Sequence, residues 1–226
     1  MFVPTAAGRR AAQSARSGAP RHVPGLGLPG RPRDAFVPSG RTVGCSRLAR
    51  VIVVGILGAP GRDDLLALEV ARRAAATGAR VEMVGVTPTG AAGDRRLVEL
   101  AQAGVGHATV TRTAAIGIDP ADLELALRYL PEVRAIVLVK PETSLLAVAT
   151  LAGTWAGAGL VIVGDQLSAA AGPVLGDAIV LDPPSGDPDG TFAGFVAALA
   201  VRLDAGEGPG AAWSSTVAAL AVDPVR

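Results

Sequence analysis

Two carboxylates flank a proline in Ser185-Gly-Asp-Pro-Asp-Gly-Thr-Phe-Ala-Gly-Phe195, just ahead of an Ala-rich stretch with helical spacing. Free amides at the start of a helix stabilise an anion such as phosphate, and an adjacent carboxylate can take the proton of an attacking hydroxyl. The same residues also suit a surface turn with Asp189 capping the helix, and residue types alone leave both readings open. A second glycine-rich segment, Gly55-Ile-Leu-Gly58-Ala-Pro-Gly61, follows a β-branched run. Its spacing is G-x-x-G-x-x-G, Pro60 lacks an amide, and the next apolar run ends in Val84-Gly-Val86 with no acid for a ribose, so the dinucleotide fingerprint is not met. No glycine loop carries the lysine of a P-loop. His22 and His107 are the only histidines and stand in no triad spacing, while the single Cys45 can form neither an internal disulfide nor a thiolate cluster for zinc. No protein-held metal is expected from these residues.

The elements that must position these segments occupy only part of the chain. Of 226 residues, 50% are hydrophobic, which excludes a chain that is disordered throughout. The formal net charge of +1 is a cancellation, because residues 1–50 hold nine Arg against the single acid Asp34, leaving twelve basic and nineteen acidic residues beyond. Residues 1–48 are rich in Pro, Gly, Arg and Ser with no apolar period, and the expectation is a disordered basic tail preceding one α/β domain over 49–226. The acidic excess of that domain argues against nucleic acid as its partner. From Val51 onwards, short apolar runs such as Val51-Ile-Val-Val54, Ala135-Ile-Val-Leu-Val139 and Leu160-Val-Ile-Val163 alternate with amphipathic stretches. Continuous rather than alternating apolar strands belong to a sheet covered on both faces, so the predicted fold is a doubly wound, mostly parallel sheet with helices on each side. Asp119-Pro120 reads as a helix cap followed by proline at the first helical position. Thr143 to Gly164 carries no charge over 22 residues, yet Gly157-Ala-Gly159 divides it into a buried helix and a buried strand rather than a membrane span. With no secretory signal, a cytoplasmic protein without membrane association is expected.

The order of three segments, Gly78-Ala-Arg-Val-Glu-Met-Val-Gly85, Gly93-Asp-Arg-Arg-Leu-Val-Glu-Leu-Ala-Gln-Ala-Gly-Val105 and Gly190-Thr-Phe-Ala-Gly-Phe195, resembles the ribokinase or PfkB family of carbohydrate kinases. The resemblance implies a ribokinase-like fold and ATP-dependent phosphorylation of a sugar or nucleoside hydroxyl, with ATP and Mg2+ as cofactors. It places Asp189 as the catalytic base, Asp187, Gly190 and Thr191 in the anion hole, and Gly61 and Asp64 on the substrate side, Asp64 falling near the family's sugar-binding Asn. The chain departs from the family pattern in several places and looks truncated, since Asp182 is followed almost at once by Ser185-Gly186 and leaves no segment for the nucleotide-side strands. Gly190 stands where the family has its catalytic Asp, Asp187 puts a negative charge into the anion hole, and Gly55 and Gly61 lie too close in sequence for the substrate lid, so a lid is not expected. These departures point to a kinase homologue whose catalysis is reduced or lost. The alternatives are a non-catalytic ligand-binding or interaction module, with a homodimer compatible, and a Rossmann-type nucleotide binder.

Overall fold

The computed structural model describes residues 50–58, 65–114, 117–164 and 177–222, all within one compact unit, Gly44–Arg226. The predicted tail, together with Gly61 and Asp64, lies outside the described residues. Strands and helices alternate as far as β5, in the order β1 (Arg50–Ile56), α1 (Leu66–Ala76), β2 (Val81–Thr87), α2 (Ala91–Gln102), β3 (Gly106–Arg112), α3 (Pro120–Tyr129), β4 (Val133–Val139), α4 (Thr143–Ala156) and β5 (Gly159–Val163), and β6 (Ile179–Leu181) is the next described element. Two consecutive helices close the order, α5 (Thr191–Asp204) and α6 (Pro209–Val222). The six strands form one sheet in the order β3-β2-β1-β4-β5-β6, with every described pairing parallel. Nine residues separate β1 from α1.

Side chains alternate across a strand, so the continuous apolar runs feed two cores. Val51 and Val53 of β1 join Val81, Met83, Ala135, Val137 and Val161 in the core beneath α1, α2 and α5, with Ala212 of α6 in the same cluster. Ile52 and Val54 join Val84, Ile136, Leu138 and Ile162 in the core beneath α3 and α4. Asp119 caps α3 as expected, its Oδ1 accepting from the Ala121 amide at 2.8 Å ahead of Pro120. Gly157 ends α4 in the left-handed region at φ 61°, so the uncharged stretch does break into a helix and a strand. No helix among the described residues is long and apolar enough to cross a membrane.

One glycine pair sets how closely the layers approach. Gly55 and Gly85 are register partners near the carboxyl ends of β1 and β2. A Cβ at Gly55 would stand 2.6 Å from the Ala67 Cβ, so the bare backbone there lets α1 rest directly on β1. A Cβ at Gly85 would run into the carbonyl oxygen of Gly55.

Candidate functional site

Helix α5 starts without a side-chain cap at its own first position. Its N-cap residue is Gly190, in the left-handed region at φ 68°, and contributes no side chain to the amides of the first turn. Such amides require a partner from elsewhere. Asp187 supplies it: Oδ1 accepts from the Phe192 amide at 3.0 Å and Oδ2 from the Ala193 amide at 2.9 Å. The backbone bends back to make this reach, with the Gly190 amide donating to the Asp187 carbonyl at 3.1 Å across Pro188 and Asp189. Both carboxylate oxygens therefore sit on the two amides that an incoming phosphate would need, and the helix dipole favours the negative charge there.

Asp189 has a different environment. The residue is exposed, and its carbonyl rather than its carboxylate is engaged, accepting from Arg73 Nη2 at 3.1 Å. The sequence-level alternative of Asp189 as helix cap is corrected, since the two first-turn amides go to Asp187. Thr191 opens the helix and is exposed. The structure thus brings Asp187, Gly190 and Thr191 together at one helix start, places Asp189 on its outer turn, and leaves Gly61 and Asp64 outside the described residues.

Arg73 is the participant that sequence reasoning missed. It lies in the last turn of α1, its Nε donates to Glu69 Oε1 at 2.7 Å, and its guanidinium covers the start of α5. A Cβ at Gly190 would collide with Arg73 Nη2. No local pattern could have found this contact, because 116 residues separate Arg73 from Asp189. Asp187 did leave a signal, an acid close ahead of a helix whose N-cap is glycine and carries no capping side chain of its own.

Replacement of Gly190 by alanine is expected to cost about 1.5 kcal/mol, from holding a Cβ-bearing residue in the left-handed region and from displacing Arg73. In an Arg73→Ala background the penalty should shrink, because only the backbone term remains. Urea unfolding of the four proteins in that cycle measures the difference, and an unchanged penalty would show that Arg73 does not press on Gly190.

Among the described residues, no group of three or more His, Cys, Asp or Glu is placed to hold a metal ion. At the start of α5 the Phe192 and Ala193 amides, which an incoming phosphate would need, are already taken by the Asp187 carboxylate.

No protein-family model matches the sequence, and no curated protein does. Solved structures do match. A structure described as a putative ribokinase II from E. coli in complex with ATP and Mg2+ aligns at 10% identity and a TM-score of 0.51, covering 74% of this chain and 90% of that one. A structure described only as Sa239 aligns at 12% identity and 0.50 over the same shares. A PfkB protein from Polaromonas sp. JS666 aligns at 14% identity and 0.48, covering 75% and 93%. The fold is ribokinase-like, as the sequence predicts.

Proposed function

We propose that this chain is a ribokinase-like domain that does not transfer phosphate at the start of α5 and acts as a binding module rather than as a carbohydrate kinase. The observation that supports this reading is the Asp187 carboxylate on the Phe192 and Ala193 amides. A phosphate entering the same place would face a fixed negative charge, and two unit charges about 4 Å apart repel by roughly 1 kcal/mol in water and 4 kcal/mol near a protein surface. It would also have to displace two charge-assisted hydrogen bonds before making its own. The exposed side chain of Asp189 adds to the reading, since a general base works best where water is excluded and its proton donor is held.

The test is ADP formation with Mg-ATP against a panel of sugars and nucleosides. No hydroxyl-dependent ADP release above the solvent rate is expected. Turnover that collapses in Asp189→Ala would overturn the proposal and restore the kinase reading with Asp189 as base.

One observation favours a second reading. The strand order β3-β2-β1-β4-β5-β6 is that of nucleotide-binding doubly wound sheets, which hold ligands beyond the carboxyl ends of the strands where the order reverses, here between β1 and β4. Lys140, the only lysine of the chain, follows β4 at that point with φ 48°, a conformation costly for a residue with a side chain. Thermal shift with NAD, NADP and ATP separates the two: stabilisation by a dinucleotide and not by ATP would support a Rossmann-type binder.

A further inference from the structure

Between α3 and α4, on the outward side of the second core, runs a groove of about 580 Å³ floored by Leu127, Val133, Ile136 and Val148. Its rim is unusual for a surface. Trp155 is 83% exposed and Leu151 61% exposed, one helical turn apart on α4, and both line the groove. On the α3 side the rim carries Glu124 and Arg128, one turn apart and paired at 2.6 Å. Tyr129 and Leu125 of the same helix are exposed as well. Two large, exposed apolar side chains, Leu151 and Trp155, at the edge of one groove mark a surface that another molecule covers.

We propose that the α3–α4 face is the interface of a homodimer, with Trp155 of each copy seated in the other copy's groove. The argument is self-complementarity. A twofold interface requires one surface to hold both partners of every contact, and this face has a protruding indole and a cavity side by side. Its charges obey the same requirement, because Glu124 and Arg128 are of opposite sign on one ridge, so an antiparallel pair of α3 helices sets each Glu against an Arg. The mixed rim, Glu124 and Glu132 with Arg128, suits neither a lipid surface nor a nucleic acid, both of which call for a basic border. Helices of 10 and 14 residues lying side by side span roughly 20 Å by 20 Å. That is below the ~800 Å² per partner of a standard interface, so the dimer is a reversible one that dissociates on dilution.

The test uses the full chain. Sedimentation equilibrium should give a mass of twice 22.5 kDa at high concentration and the single mass on dilution. Trp155→Asp should hold the single mass at every concentration with an unchanged far-UV circular dichroism spectrum, and Leu151→Asp, also at an exposed position, should do the same. In Trp213→Phe, which leaves Trp155 as the only tryptophan, emission should move to the red as the dimer dissociates. A single mass at all concentrations would overturn the proposal, including the case in which the chain's own N-terminal residues fill the groove. So would a dimer that survives both aspartates, or one whose dissociation leaves Trp155 emission unmoved.

Discussion

Gly85→Ala is expected to destabilise the fold by about 3 kcal/mol, the upper end of the range for overpacking a closely built interior. The cause is local and cannot relax by a change of rotamer. The new methyl group would meet the backbone carbonyl of Gly55 on the neighbouring strand, and β1 and β2 lie inside the sheet with partners on both sides. Gly55 cannot retreat, since α1 already rests on it through Ala67. For a folded domain of this size the loss corresponds to a fall in Tm of roughly 6–12 °C. Gly186→Ala is the control: nothing stands within 4 Å of a Cβ there, and the change should stay within about 0.5 kcal/mol. Equal stabilities for the two variants in urea would show that β1 and β2 do not approach as closely as their paired glycines allow.

Asp187→Ala is expected to cost about 2 kcal/mol, because it removes two charge-assisted hydrogen bonds and a favourable charge from the start of α5 at once. The same substitution should create something the parent lacks. With the Phe192 and Ala193 amides released, inorganic phosphate should raise the Tm of the variant in a concentration-dependent way and leave that of the parent unchanged. Asp187→Asn keeps the shape and loses the charge, so about half the stability loss is expected from it. Thermal unfolding across a phosphate series at constant ionic strength measures both effects. An equal response of parent and variant would mean that Asp187 does not guard those amides.

The two cases differ in how far they could be seen in the residues alone. The helix start after Gly190 was legible, since a Gly-rich, acid-bearing segment ahead of an Ala-rich one has few other uses. Which acid holds the amides was not. Capping rules concern a side chain two or three residues before the amide it binds, whereas Asp187 reaches five and six residues ahead, by way of a turn closed between Gly190 and Asp187. Arg73 was beyond reach for a plainer reason: it arrives from another helix, and its spacing on α1 suggests only the pair with Glu69. The Gly55 and Gly85 pairing likewise depends on strand register, which apolar runs do not encode on their own.

Sequence alone determined the alternation of strands and helices, the parallel class and the burial of the strands on both faces. These follow from the length of each apolar run and from caps such as Asp119-Pro120, which act within a few residues. The resemblance in segment order pointed to the ribokinase-like fold on the same local grounds. Only the tertiary structure decided that the sheet runs β3-β2-β1-β4-β5-β6, that Asp187 rather than Asp189 faces the amides of α5, that Arg73 reaches the Asp189 carbonyl ahead of that helix, and that Trp155 stands exposed beside a groove. The strand order and the Arg73 contact join residues far apart in the chain, where local preference has no bearing, and the Asp187 contact depends on a turn closed between Gly190 and Asp187 that capping rules do not cover.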